Sequence, residues 1–479
     1  MKTSQASNIC LTSYQTVEVL IMHVQYSFLT SALAICLSVG VAFANDNPLA
    51  EYLKVPGATT TLPVTAAKKP FPFDFAKDAQ KKFNNFHYQL GGDHALYYNR
   101  NLSELLPTAY SAPHPEFMAL ERALDKSIGT SVSFTPKEGE MTLSDYIVHP
   151  NHRVQGVMMV HKGKVVYEEY PGMNPMDRHV WMSPGKATVG LVMGMLAEEG
   201  KVDLSQPVPK YVPELAGTNW DNVPMIDAAN MATGLALEET LESIIDPASI
   251  IVRFFSAEFG APNPKTGKLE NWLDILREAA KVEGEKPGEV FRYSSAVTEI
   301  FVLAAEKIDN LTWAELFQQR VWGKVGARED FQHQLMPDGT AVSHGLISTT
   351  LEGFARFGMI FTPSWDKTAH EEIVSAPLLK RLQTSGNVKS FQAGAKYKGL
   401  TEDFGEAPYM NSMQFDAVFE DGALWKHGNL GQGIYIDPER DFVGVYFSTN
   451  GYIPPYGEDK MPGYLRRAAK YLAEKDGTK

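Results

Sequence analysis

The chain has 479 residues, 44% of them hydrophobic and 21% charged, which is enough for a large core and two subdomains. Its formal net charge of −13 argues against nucleic acid and anionic membrane surfaces as partners. Both cysteines, Cys10 and Cys36, lie before Ala44, so the remainder has no disulfide, no thiolate nucleophile and no cysteine metal site.

Phe28 to Ala44 is an apolar run that closes on Ala42-Phe43-Ala44, a small-x-small pattern, with polar Asn45-Asp46-Asn47 after it. This predicts a signal peptide over 1–44, cleavage after Ala44 and a periplasmic or secreted mature chain. The stretch Met22 to Ser27 has no Lys or Arg, which keeps an uncleaved N-terminal membrane anchor as the alternative. Export without cysteines fits a bacterial periplasm. Residues 45–144 form an N-terminal extension. Up to Pro115 it is rich in Pro, Asn and aromatic residues with little periodicity, and is expected to wrap irregularly on the main body over 145–479.

Phe117, Leu120 and Leu124 have helical spacing and predict a short helix over Glu116 to Ile128. A hairpin follows, with strands Val154 to Val160 and Val165 to Tyr170 joined through His161-Lys162-Gly163-Lys164. Helical patterns then dominate: Leu241 to Phe255, Trp272 to Val282, Ala296 to Ile308, Trp313 to Val321 and Leu351 to Ile360. A second hairpin pairs Gly433 to Ile436 with Phe442 to Ser448. The predicted class is α/β (α+β): one antiparallel sheet built from both chain ends, flanked by helices, with a helical insert.

The chain is organised around Trp181-Met182-Ser183-Pro184-Gly185-Lys186 and the apolar run from Ala187 to Ala197. Three-residue spacing stacks Ser183 and Lys186 on one helix face. Pro184 suits the first helical position, so Ser183 sits at a helix start. Gly190 and Gly194 would admit another element closely. A hydroxyl there, with an amine held in an apolar site one turn on, has the makings of an activated nucleophile. The competing reading is that Ser183 only caps the helix.

Two further stretches carry chemistry. In Pro287-Gly288-Glu289-Val290-Phe291-Arg292-Tyr293-Ser294-Ser295 a phenol precedes two serines that open a helix. Beside a protonated Lys, the Tyr293 phenolate would be favoured and could relay a proton; otherwise Tyr293 is a half-buried aromatic and a serine the cap. In Trp425-Lys426-His427-Gly428-Asn429-Leu430-Gly431-Gln432-Gly433, glycine-rich backbone could aim N–H groups at an oxyanion, or merely mark a hairpin. His427 could orient substrate or tune the Tyr–Lys pair, or be a satisfied core histidine. There is no Gly-x-Ser-x-Gly elbow and no His-Glu-x-x-His, which disfavours a Ser-His-Asp hydrolase and a zinc hydrolase.

In this order, Ser-x-x-Lys, Tyr-Ser-Ser and His-Gly-Asn resemble the serine β-lactamase and penicillin-binding superfamily, in its class C-like esterase and 6-aminohexanoate-dimer hydrolase branch. Gly200-Lys201-Val202-Asp203-Leu204, Met231-Ala232-Thr233-Gly234-Leu235 and His344-Gly345-Leu346-Ile347-Ser348-Thr349-Thr350 extend the resemblance, which covers about Tyr146 to Ala473. It implies that Ser183 is the nucleophile and that Lys186 and Tyr293 form the acid/base pair. His427 would stand where the third motif has Lys or His. The oxyanion hole would use the N–H of Ser183 and one near Asn429 or Leu430. Ser295 stands in place of the usual Asn, and Asn429 in place of the third-motif glycine. The implied function is ester or amide hydrolysis of small molecules through an acyl-enzyme, with no cofactor and no metal. The alternatives are a β-lactamase or D-alanyl-D-alanine carboxypeptidase, and an inactive penicillin-recognising binding module. Oligomeric state stays open.

Overall fold

A computed structural model describes residues 57–451 and 458–477. The predicted signal peptide and the start of the extension lie outside the described residues. Among those described, no helix is long and apolar enough to cross a membrane.

Among the described residues the main sheet has eight strands. In chain order they are β1 (Glu121–Arg122), β2 (Val154–His161), β3 (Lys164–Glu169), β4 (Met410–Ser412), β5 (Phe415–Val418), β6 (Leu424–Gly428), β7 (Gln432–Asp437) and β8 (Phe442–Ser448). Their spatial order is β4-β5-β6-β7-β8-β2-β3-β1. The two predicted hairpins are β2–β3 and β7–β8. Lys162 and Gly163 turn the first with φ of 50° and 74°, the pair of positive values that a tight turn needs to match the strand twist. β8 pairs antiparallel with β2, Phe442 opposite His161, so the two chain ends do build one sheet. Every residue of β2, β7 and β8 is buried, because both faces are covered.

Five helices matter for the site: α1 (Lys186–Glu198), α2 (Ala296–Asp309), α3 (Leu351–Met359), α4 (Lys396–Phe404) and α5 (Met461–Lys475). α3 and α5 pack on the sheet, and α1 and α2 on each other. α1 is buried from Lys186 to Leu196. Each fully buried Val, Leu or Met in it is worth about 1.5–3 kcal/mol. Gly190 is needed for contact: a Cβ there would stand 2.0 Å from the Met413 carbonyl oxygen.

Several expectations are corrected. Glu116 to Ile128 is not a helix. Its chain runs along the sheet edge as β1, the one parallel pairing of this sheet, and Ala123 and Asp125 donate their N–H groups to the Val165 and Val166 carbonyls. Ladder bonds replace helical ones, and helix begins only at Ser127–Ser131. The Leu241 to Phe255 pattern breaks at Asp246-Pro247 into Leu241–Ile245 and Ile250–Glu258, since proline cannot continue a helix. The Trp272 pattern stops at Arg277.

The extension is more regular than its composition suggests. It holds helices Phe73–Lys82, Asn85–Leu90 and Asp93–Tyr98. Its strand Thr108–Ser111 pairs with Phe331–Gln334 in a second, four-stranded sheet.

Candidate active site

Ser183 opens a 3-10 turn, Ser183–Gly185, that runs into α1. The N-cap positions are Met182 for the turn and Gly185 for the helix, so Ser183 does not occupy a cap position. Met182 before it has φ of 56°, a conformation that is costly for a side chain with a Cβ and typical of functional sites. Gly428 lets β6 approach: a Cβ there would lie 2.7 Å from Pro184 Cδ and from the Trp181 carbonyl.

Lys186 is fully buried and its Nζ has three acceptors: Ser183 Oγ at 3.0 Å, Ser295 Oγ at 3.0 Å and the His344 carbonyl at 2.9 Å. Burial, and next the Lys426 ammonium, bring its pKa down to about 7. Close to neutral pH a large fraction of the amine is therefore unprotonated. Two N–H bonds then go to Ser295 and His344, and the lone pair faces the Ser183 hydroxyl.

Tyr293 is buried, and its hydroxyl interacts with both Ser183 and Lys426, the latter with Nζ at 3.3 Å. The expectation of a phenolate is corrected. Burial, then the Asp416 and Glu239 carboxylates, push the phenol well above its usual range. Lys186 is therefore the group able to accept a proton near neutral pH, and Tyr293 the one able to donate. Lys396 Nζ lies 3.2 Å from the centre of the Tyr293 ring, and Lys426 Nζ 4.6 Å from it. These cations can stabilise a phenolate that forms only in passing.

β6 decides the third motif. Strand side chains alternate, and it is Lys426 that faces Tyr293. Asp416 on β5 accepts from Lys426 Nζ at 2.6 Å and from the His427 N–H at 3.1 Å. The His427 ring lies on the other face, 3.4 Å from Asp459 and beside Trp425. His427 thus does not join the Ser183 constellation; the motif reads Lys426-His427-Gly428, and its glycine is Gly428 rather than Asn429. The Leu430 N–H donates to Asn429 Oδ1 at 3.1 Å, which takes it out of the expected oxyanion pair. Among the described residues nothing accepts the Ser183 N–H. Ser295 reaches the site, but as an anchor for Lys186.

Sequence reasoning missed much of the surrounding wall. The cleft is lined by Glu239, Phe255 and His344 and, from the extension, by Tyr88 and Gln89. Tyr88 donates to Met182 Sδ at 3.0 Å, and Asn429 donates to the Gln89 carbonyl at 2.9 Å. Glu239 Oε1 accepts from the Ser295 N–H, while its buried Oε2 has no hydrogen-bond partner among the described residues. Behind Lys186, the His344 N–H donates to Glu299 at 2.7 Å and His344 Nε2 lies 2.9 Å from Glu258. Burial raises both glutamates and lowers His344, which favours their uncharged forms, and this shell holds the His344 carbonyl against Lys186. Asp416 and Lys426 left a trace in the sequence: each is a lone charge inside an apolar strand. Lys396, Glu239 and Tyr88 left none.

A family model described as Beta-lactamase matches residues 143–467. A 6-aminohexanoate-dimer hydrolase from Paenarthrobacter ureafaciens is 27% identical over 356 residues, 73% of this chain and 83% of the relative. Two solved structures share the fold. A Bacillus anthracis protein provisionally assigned as a 6-aminohexanoate-dimer hydrolase superposes with a TM-score of 0.61 at 20% identity, over 80% of this chain and 94% of that one. A Bacteroides dorei protein provisionally assigned as a β-lactamase gives 0.50 at 16% identity, over 70% and 96%.

Proposed function

The chain belongs to the Beta-lactamase family, and from that premise we propose that it is a serine hydrolase cleaving amide and ester bonds of small, uncharged or cationic acyl donors. The observation that carries the reading is the buried Lys186 amine 3.0 Å from Ser183 Oγ, with its pKa at about 7. Neutral Lys186 takes the hydroxyl proton as Oγ attacks the carbonyl carbon. The N–H groups of Ser183 and Asn429 receive the oxyanion. As the tetrahedral adduct collapses, Tyr293 gives its proton to the departing alkoxide or amine and recovers one from Lys186. Water then attacks the acyl-serine, its proton leaving through the same pair, and Ser183 is regenerated.

The substrate preference rests on charge. Arg292 is held by Glu238 and Glu285. Lys426 does point inward, but Asp416 neutralises it at 2.6 Å. Glu239 lines the same cleft as Ser183. An anionic β-lactam or peptidoglycan stem meets a like charge there, whereas a neutral or amine-bearing acyl chain does not. The similarity to a 6-aminohexanoate-dimer hydrolase supports the same choice.

The test compares kcat/KM for p-nitrophenyl butyrate, a linear aminohexanoate dimer and a chromogenic cephalosporin on wild type and Glu239→Gln. The cephalosporin should be the slowest on wild type. The variant keeps the acceptor for Ser295 and should improve the cephalosporin relative to the ester by about tenfold, equivalent to ~1.4 kcal/mol of relieved repulsion. Fastest turnover of the cephalosporin by wild type would make the β-lactamase reading the better one. No turnover of any of the three would favour the binding module.

A further inference from the structure

A second cluster of chemistry-bearing side chains lies outside the constellation around Ser183. Glu138 sits in the turn between the paired strands Ser133–Phe134 and Met141–Thr142. His149 follows directly on the helix Leu143–Val148, and His152 closes the turn into β2, its N–H bound to the His149 carbonyl at 3.1 Å. One ligand atom from each of the three lies within 4.8 Å of the other two.

The details of this cluster point to a ligand. His152 is 1% exposed, yet neither ring nitrogen has a hydrogen-bond partner among the described residues. Buried polar groups are normally satisfied, so an imidazole placed like this lacks something. Its ring is fixed by stacking on Tyr146 at 3.9 Å. Asn151 Nδ2 donates to Glu138 Oε1 at 2.9 Å, which orients the carboxylate and leaves Oε2 3.3 Å from His152 Nε2. That contact misses hydrogen-bond geometry, but it matches the separation of two donor atoms in a tetrahedral shell, roughly 3.3 Å for bonds of about 2.0–2.2 Å. The Asn151 N–H lies 3.4 Å from His149 Nδ1, which keeps the lone pair on that nitrogen, and metal binding would exchange this long contact for the ion. His149 is only half-buried and can close the remaining distance by a side-chain rotation.

The geometry points to a divalent zinc-class metal site built from Glu138, His149 and His152, with water in the fourth position. Two imidazoles and one carboxylate suit zinc, whereas calcium and magnesium take oxygen ligands. The ion would clip the turn at Glu138 to the end of the 143–148 helix where the main sheet begins. Its role is structural, since none of the three side chains touches Ser183, Lys186 or Tyr293. This departs from the expectation, drawn from the sequence, that no metal is involved.

The experiment titrates zinc chloride into the chelator-stripped protein by calorimetry and follows the melting temperature. The site predicts one saturable equivalent and a rise in Tm on saturation. Glu138→Gln and His149→Ala should each weaken binding at least tenfold. Both positions reach solvent, so these variants spare the fold, and circular dichroism checks this. The stacked surface pair His114 and His370, 3.7 Å apart, is the control: His370→Ala should leave binding unchanged. Failure of the folded wild-type protein to bind zinc, equal binding by the Glu138 and His149 variants, or loss of binding in His370→Ala would overturn the inference.

Discussion

Replacing Lys186 with alanine is expected to lower kcat/KM by at least about 10³-fold, because it removes the base that takes the Ser183 proton. The pH dependence follows from the same group. Its folded-state pKa of about 7 lies far below the ordinary lysine value, and the active form is the unprotonated amine. Activity should therefore rise with pH through about 7 and level off above it. Lys426 is the cation that depresses this pKa most, and Asp416, its partner, acts the other way. Lys426→Met removes the cation and leaves the carboxylate, so the acid limb should move to higher pH. Rate profiles of wild type and Lys426→Met on one ester provide the check. A profile flat between about pH 5 and pH 9, or a limb that moves down, would mean that Lys186 is not the base.

Tyr293→Phe should cost about 10²–10⁴-fold in kcat, the usual range for losing one general acid. The phenol is neutral at rest, so the loss should fall on leaving-group protonation and be larger for amides than for esters with good leaving groups. Lys186 and Tyr293 meet at the Ser183 hydroxyl, and in the proposed mechanism they pass one proton between them. The double variant should then be little worse than Lys186→Ala alone. Losses that simply add would separate the two groups into independent roles.

The parts of this site legible in the sequence are local. Ser183 and Lys186 share one turn, and Pro184 with the apolar run behind it marks the buried helix. The β2–β3 hairpin announces itself through Lys162-Gly163 between apolar runs. The rest depends on which strand or loop arrives from far away. Lys426 and His427 are adjacent, and only the pairing of β6 with β5 and β7 decides which of them faces Tyr293. Glu239 reaches Ser295 across 56 positions of sequence. Tyr88 and Gln89 come from an extension with no strong periodicity, and their place against Met182 and Asn429 is a tertiary fact. The Tyr293 expectation failed for an electrostatic reason: one lysine was visible in the sequence, but burial and the two carboxylates were not. The C-terminal helix α5 is legible locally too, since Tyr464, Leu465, Ala468, Ala469 and Leu472 have helical spacing and are all buried.

The central claim is that Ser183 carries the acyl group. The most direct test treats the protein with a fluorophosphonate and, separately, quenches it in acid during turnover of a slow ester, with both adducts mapped by peptide mass spectrometry. Both should fall on Ser183, and Ser183→Ala should show neither adduct and no hydrolysis above background. An adduct on another residue, or turnover retained by Ser183→Ala, would contradict the account.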